Sequence, residues 1–305
     1  MKITESFAGT FTKKVYQGEW IPKRSPPIVL HVFNEQISPD DILFYSQLEP
    51  HERIVYTFGL VNNSFNRTIL IQERAPHGNL QMQLHENRFQ PSTKVLLTIF
   101  LQITKAMIYL ASHNPKIVHG DLRCESVLLF QMHPSNIDGN KVKLTNFYSI
   151  NDRERMNILV RYCAPEILRD LDLAKSSELS DVYSMGVLMW EAFSQGNRPF
   201  GTTTSNDDIR QRRLNDEKLT KPNQCSPQIW TLIEQCWMRE TSRPSTFQQL
   251  QKRISELRSS YVFHCHLPKI STRFHRFRIA ELPERSPFNE SPILPVKRTN
   301  WISCF

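Results

Sequence analysis

Residues 117–129 read IVHGDLRCESVLL, and the rest of the chain is interpreted from this stretch. It places one acid, Asp121, two positions before Arg123, and it ends in an apolar run from Val127 to Leu129. An apolar run of this kind predicts a short buried strand. The charged residues in front of it are typical of a loop that carries function.

Three further segments follow it along the chain. They read VKLTNFY at 142–148, APE at 164–166 and SDVYSMG at 180–186. In this order and at these spacings, the four segments resemble the catalytic loop, the D-F-G strand, the A-P-E segment and the next helix of protein kinases. The similarity covers about residues 6–258.

The details of the resemblance point to the tyrosine-kinase type. Arg123 matches the tyrosine-kinase form of the catalytic loop, and QCW at 235–237 and RPSTF at 243–247 resemble the closing helices of that group. The string GTFTK at 9–13 is similar to the Gly-rich loop in the pseudokinase domains of Janus kinases.

The resemblance implies an α+β, bilobal protein kinase fold. Residues 1–74 are expected to form a small antiparallel, five-stranded β N-lobe with one helix, and residues 75–260 a larger, mainly α C-lobe. A hinge is expected through Glu73, Arg74 and Ala75. Residues 261–305 are interpreted as a basic, flexible tail.

The hydrophobic pattern agrees with this division. Alternating apolar runs predict strands at 14–20, 27–33, 54–60 and 68–72. Helical spacing begins at Ser92 and returns at 181–193, 227–238 and 246–257. Within the first lobe, Ser38 and Pro39 favour the start of one helix, with Asp40 and Asp41 in its first turn.

Composition sets the wider limits. The 305 residues are 39% hydrophobic and 22% charged, as in an ordinary globular protein, and the net charge is +8. Much of that excess of positive charge lies in the tail, and binding of nucleic acid is not expected.

Six cysteines without C-x-x-C spacing predict reduced thiols in a cytoplasmic protein, with Cys124 the one to test for reactivity. No segment is predicted to span a membrane, because polar residues interrupt the most apolar stretch, 95–110.

The positions that resemble metal ligands are altered. Kinases hold Mg²⁺ with the D-F-G aspartate and the catalytic-loop asparagine, and these places hold Asn146 and Ser126 here. Neither side chain carries the negative charge of a carboxylate. The resemblance therefore implies weak or absent binding of Mg²⁺.

The phosphate-binding positions are altered too. His31 stands where a lysine reaches the phosphates of ATP, and Asp41 where the helix glutamate that pairs with that lysine is expected. The Gly-rich loop keeps Gly9 but has Thr12 in place of a later glycine, which hinders close approach of the backbone to phosphate. Tyr148 replaces the D-F-G glycine.

Activation by phosphorylation has no evident components. Gly120 replaces the arginine that pairs with an activation-loop phosphate, and Tyr162 is the only tyrosine between Ser149 and Cys163. Asp121 does remain at the position of the catalytic base. A purely structural role for Asp121 is the alternative.

The resemblance also implies a nucleotide cleft and one ion pair outside it. The expected lining, with ATP as the ligand, comprises Gly9, Val15, Val29, His31, Gln72, Glu73, Ala75, Arg123 and Leu128. Val29 stands where alanine is common and should crowd the adenine. Glu166 and Arg243 match the buried ion pair of the family.

Three functions are left open by these residues. The first is a pseudokinase that acts as a scaffold or allosteric partner for signalling kinases or their substrates. The second is a weakly active protein kinase, of tyrosine or dual specificity, that uses Asp121 with Lys13, Lys14 or Arg123 in place of the metal charge. The third is an adaptor that binds acidic partners through the tail.

Overall fold

The first lobe is a sheet built from runs rich in β-branched residues. A computed structural model describes residues 2–9, 13–19, 26–33, 42–45, 48–62, 67–147, 160–169, 176–239 and 242–263. The strands are β1 (Lys2–Gly9), β2 (Lys13–Glu19), β3 (Ile28–Phe33), β4 (Thr57–Asn62) and β5 (Thr68–Glu73). They form an antiparallel sheet in the order β1-β2-β3-β5-β4, so the predicted small antiparallel lobe is confirmed.

Strand register places one functional position at the centre of this sheet. On β3, His31 lies opposite Val15 of β2 and opposite Leu70 of β5. Ile28 and Leu30 of the same strand are buried with residues of β5. Because side chains alternate between the faces of a strand, His31 points away from that cluster.

The strand predicted at 54–60 is displaced in the structure. β4 begins at Thr57, whereas Ile54 forms a bridge with Leu144 and Val55 N donates to Leu144 O at 2.9 Å. These residues therefore pair with the second lobe, because a strand of that lobe offers them free backbone groups.

Residues 42–45 are helical, within the segment predicted to hold the helix of the first lobe. Tyr45 is buried, and its hydroxyl donates to Phe147 O at 3.0 Å. The predicted start of that helix, Ser38 to Asp41, lies outside the described residues.

The second lobe is helical, as predicted. Its helices are α1 (Leu80–His85), α2 (Thr93–Ala111), α3 (Pro165–Arg169), α4 (Glu178–Phe193), α5 (Asn206–Leu214), α6 (Pro227–Cys236) and α7 (Phe247–Phe263). Serine side chains accept backbone hydrogen bonds at four starts: Ser92, Ser177, Ser205 and Ser226. These caps satisfy N–H groups that a helix leaves free.

Helix α2 forms the centre of this lobe. Among the described residues it is the one helix long and apolar enough to cross a bilayer, yet 67% of its apolar window is buried inside the protein. Leu97, Ile99 and Phe100 are fully covered within the main hydrophobic core. Core packing accounts for its composition.

A short two-stranded sheet carries the segments that resemble the catalytic loop and the D-F-G strand. A 3-10 turn (Cys124–Ser126) leads into β6 (Val127–Gln131), which pairs antiparallel with β7 (Lys141–Leu144). The strand predicted after Asp121 is therefore present. Helix α7 ends at Phe263, and the predicted tail beyond it lies outside the described residues.

Candidate functional site

A cleft of about 700 Å³ lies between the two lobes. Its lining includes these predicted residues: Val15, Val29, His31, Gln72, Glu73, Ala75, Arg123, Leu128 and Asn146. Gly9 lies on β1 opposite Lys14 of β2. Asp121 and Ser126 are buried and are not among the described residues that line the cleft. Tyr148, Thr12 and Asp41 lie outside the described residues.

The back wall of the cleft is closed by the amide of Gln72. Its Nε2 donates to Thr57 Oγ1 at 3.1 Å, and its Oε1 accepts from Thr145 Oγ1 at 3.4 Å. Gln72 is buried. The amide therefore joins β5, β4 and the segment after β7. Sequence reasoning identified Gln72 but gave no signal for the two threonines, which lie 15 and 73 residues away.

The hinge is tied to the second lobe by an ion pair. Lys143 Nζ contacts Glu73 Oε1, and the same oxygen accepts from Tyr56 N at 2.7 Å. Both charged side chains are largely buried. The Glu73 side chain therefore fixes the hinge. Lys143 is a residue that sequence reasoning missed.

The candidate base, Asp121, is paired with a neighbouring arginine. Arg123 Nε lies 2.7 Å from Asp121 Oδ1, and Arg123 Nη1 lies 2.6 Å from Glu125 Oε2. Asp121 is only 2% exposed. A nearby cation favours the charged form of a carboxylate, so this pairing makes a carboxylate a weaker proton acceptor.

The two candidate metal positions offer few oxygens to an ion. Ser126 is fully buried, and its hydroxyl donates to Asp121 O at 2.7 Å. Asn146 lines the cleft with φ of 62°, in the left-handed region that asparagine and aspartate tolerate. The described residues contain no cluster of three or more His, Cys, Asp or Glu side chains suited to a metal. These donors do not fit the octahedral, carboxylate-assisted site that Mg²⁺ prefers.

The backbone before Asp121 is held by a buried acid of α4. Asp181 Oδ2 accepts from His119 N at 2.8 Å, and Oδ1 accepts from Gly120 N at 3.0 Å. Gly120 has φ of 72°, a conformation that favours glycine over the arginine of the family pattern. Burial raises the pKa of Asp181 to about 7 against these hydrogen bonds, and burial lowers the pKa of His119 to about 4.

A second buried acid of α4 holds the other side of the loop. Glu191 Oε2 accepts from Cys124 N at 2.9 Å, and Oε1 accepts from Tyr162 Oη at 3.0 Å. Burial raises the pKa of Glu191 to about 7. Sequence reasoning missed Glu191, since nothing near it resembles a binding motif.

These contacts also decide two open questions about side-chain chemistry. Cys124 is fully buried, and burial raises the pKa of its thiol well above the usual value, so it is not a reactive cysteine. Tyr162 is buried with its hydroxyl engaged, so it is not presented for phosphorylation.

The predicted ion pair outside the cleft is present. Arg243 donates from Nη1 and Nη2 to Glu166 Oε1 and Oε2, at 2.7 and 3.0 Å. The Arg243 side chain is only 1% exposed. A bidentate pair of this geometry joins the A-P-E segment to the start of α7.

Comparison with known proteins agrees with the fold and the cleft. The family model for protein tyrosine and serine/threonine kinases matches residues 7–254. The chain is 29% identical over 234 residues to "Probable serine/threonine-protein kinase pats1" of Dictyostelium discoideum, which covers 74% of this chain and 7% of that protein. It is 26% identical over 268 residues to "Receptor tyrosine-protein kinase erbB-4" of Homo sapiens, which covers 80% of this chain and 19% of that protein.

The chain thus spans less than a fifth of the length of these curated relatives. The matched region includes both lobes, the hinge and the segments that carry Asp121, Asn146 and Glu166. On these grounds the chain belongs to the protein tyrosine and serine/threonine kinase family.

Proposed function

We propose that this kinase domain is a pseudokinase of the tyrosine-kinase type, which acts as a scaffold or allosteric partner for other signalling proteins. The observation that carries this proposal is the state of the metal positions. Ser126 is buried and donates its hydroxyl to Asp121 O, and Asn146 supplies a neutral amide in place of a carboxylate. The tyrosine type is supported by Arg123 and by the similarity to a receptor tyrosine-protein kinase.

The chemistry explains why these two changes matter. Phosphoryl transfer needs little covalent assistance, and its rate depends on positioning and on neutralising the charge around the γ-phosphate. Losing one preorganised electrostatic contact typically costs about 10²–10³ in rate. The changes at His31, Ser126 and Asn146 together predict a loss of many orders of magnitude.

The adenosine side of the cleft supports nucleotide binding better than the phosphate side. Val15, Val29 and Leu128 provide apolar walls. We propose that any binding of ATP here is weak and independent of Mg²⁺, because the described donors do not fit the ion.

The decisive test is phosphoryl transfer from Mg-ATP to a tyrosine-containing polymer and to the chain itself. We expect the wild type and Asp121→Ala to give equal, background-level signals, with an active tyrosine kinase as the positive control. Circular dichroism of both proteins checks that the substitution leaves the fold intact. Activity that Asp121→Ala abolishes would show that the domain is catalytic and would overturn the proposal.

A weakly active kinase is the second candidate, and one contact favours it. Asp121 keeps its place in the loop, with the Arg123 cation 2.7 Å away. In that case Arg123 would supply positive charge that a metal ion normally brings. Weak, metal-independent binding of ATP agrees with both candidates, so phosphoryl transfer in the presence of a chelator would favour this one, and no binding at millimolar ATP would exclude it.

We further propose that the domain works in the cytoplasm, with proteins as partners. The described cysteines Cys124, Cys163, Cys225 and Cys236 are free and buried, as suits a reducing compartment. Fractionation of cells that express the chain, followed by thiol labelling under denaturing conditions, tests this location. Recovery in an oxidising compartment with blocked thiols would contradict it.

A further inference from the structure

Arg161 lies at the mouth of the cleft and carries a charge that no carboxylate balances among the contacts of the described residues. Its guanidinium donates to three backbone carbonyls, at 2.7 Å to Pro199 O, 2.6 Å to Gly201 O and 2.9 Å to Thr204 O. Carbonyls orient the group but do not neutralise it. These bonds use three of its five N–H donors, so two remain for a ligand.

The loop that holds Arg161 is preformed. Phe200 and Gly201, in the segment that supplies these carbonyls, both have left-handed backbone, with φ of 64° and 76°. Thr204 Oγ1 donates to Phe200 O at 2.7 Å, and Gly201 N donates to Arg198 O at 3.1 Å. The position of Arg161 is therefore fixed before any ligand arrives.

A second arginine lies beside the first. Arg198 also lines the cleft, its side chain is 52% exposed, and its single described ion pair is a long one, 3.3 Å from Nη2 to Glu125 Oε1. The two guanidinium groups are close enough for Arg198 to lower the pKa of Arg161, although burial is the larger cause.

The local charges leave an excess of arginine. Glu125, the carboxylate that contacts Arg198, already contacts Arg123. Glu125 is then shared between Arg123 and Arg198, and the partners of Arg161 among the described residues are carbonyls. An incoming anion would satisfy the free donors of Arg161 and Arg198 and reduce the repulsion between them.

We infer that the Arg161–Arg198 pair binds carboxylate side chains of an acidic protein segment lying across the mouth of the cleft. The pair lies on the helical-lobe side, outside the apolar slot that Val15, Val29 and Leu128 form. An extended peptide can reach both arginines from solvent, because Arg198 is half exposed. The inference rests on the proposed function only in taking proteins as the partners of this domain.

Fluorescence anisotropy with labelled peptides tests the inference on the full chain. One peptide contains one tyrosine and is rich in Glu and Asp, a second carries Gln and Asn at the acidic positions, and a third is the second with its tyrosine phosphorylated. We expect the acidic peptide to bind about tenfold or more tightly than its amide counterpart, and added salt to weaken it.

Arg198→Glu is the main variant, since this exposed side chain has no part in the core. We expect it to weaken binding of the acidic peptide by about tenfold while the unfolding midpoint stays unchanged. Lys252→Glu is the matched control, because it makes the same charge reversal at an exposed position of α7 that does not line the cleft. It should leave the affinity unchanged.

Three results would overturn the inference. They are equal affinity for the acidic and amide peptides, equal weakening by both charge reversals, and tight binding of the phosphotyrosine peptide alone. Phosphoryl transfer to a tyrosine in the bound acidic peptide would instead support the inference and overturn the non-catalytic function. The two proposals therefore fail separately.

Discussion

Beneath the loop that carries Asp121, buried acids have their hydrogen bonds made, whereas His31 and Asn146 in the cleft do not carry the charges that the family pattern places at their positions. Asp181 and Glu191 each accept two hydrogen bonds from the loop and its surroundings. His31 and Asn146 line the cleft without adding a negative charge. The comparison teaches that the polar contacts needed for folding do not depend on the groups needed for phosphoryl transfer. Substitutions at the buried contacts should therefore lower the free energy of unfolding. Substitutions in the cleft should change ligand binding and leave the free energy of unfolding nearly unchanged.

The largest effect is expected at the buried pair that supports the second lobe. Arg243→Ala leaves Glu166 without its bidentate partner, and breaking a buried ion pair in this way typically costs about 3–5 kcal/mol. The free energy of unfolding from urea titration measures it. The control is Arg212→Ala, which removes an exposed ion pair with Glu217 and should change the unfolding midpoint little. Equal effects of the two substitutions would contradict the proposed importance of burial.

The next effect concerns Glu191 and pH. Its pKa in the folded state is about 7, above its ordinary value of 4.5, so the folded protein binds this proton more tightly than the unfolded chain does. The contribution to stability is then greatest below about pH 4.5 and falls by about 3 kcal/mol as pH rises to 7. His119, with a lowered pKa, acts in the opposite direction, so the comparison must be made between variants.

Glu191→Gln removes this titration and keeps an oxygen that can accept from Cys124 N. The free energy of unfolding, measured from pH 5 to 8, should therefore fall less steeply with pH in the variant than in the wild type. Parallel pH profiles would show that Glu191 is ionised throughout the range. The acid would then resemble an ordinary exposed carboxylate despite its burial.

A smaller effect is expected at Ser126, which lies where the two regions meet. Ser126→Ala removes the only hydrogen bond described for this buried hydroxyl and should cost about 1–2 kcal/mol. Ser259→Ala is the matched control, since its hydroxyl donates to Ser255 O at an exposed site. If both variants unfold at the wild-type midpoint, the hydrogen bond of Ser126 does not contribute to the stability of the fold.

The sequence predicted the features that depend on local pattern. The helix after Ser92 follows from apolar spacing and a capping serine, and the Glu166–Arg243 pair follows from the resemblance of two motifs. The predicted strand at 54–60 is misplaced because alternation alone cannot tell which lobe offers the partner strand. Residues 54–56 continue directly into β4 as one apolar run, yet Ile54 pairs with Leu144.

The contacts that the sequence did not reveal join residues far apart in the chain. Lys143 and Glu73 are 70 residues apart, and Arg161 reaches carbonyls 38 to 43 residues away. Carbonyls carry no side-chain signal, so the fixed position of Arg161 could not be inferred. Helix α5 was also missed, since only Ile209 and Leu214 in it are aliphatic.

The smallest effect on stability, and the sharpest test of the comparison, is expected at Asn146. Asn146→Asp places a carboxylate at the metal position, and aspartate tolerates the left-handed backbone found there, so the free energy of unfolding should stay close to that of the wild type. Fluorescent ATP analogues, titrated with Mg²⁺ and with a chelator, report the effect on the cleft. We expect Mg²⁺ to strengthen binding in the variant and to leave the wild type unaffected, because an anionic oxygen ligand restores part of the attraction for the ion. A wild type that already responds to Mg²⁺ as strongly as the variant would mean that Asn146 and the buried Ser126 hold the ion unaided. In that case the cleft would still bind Mg²⁺, and it would not differ from the buried folding contacts in having lost its function.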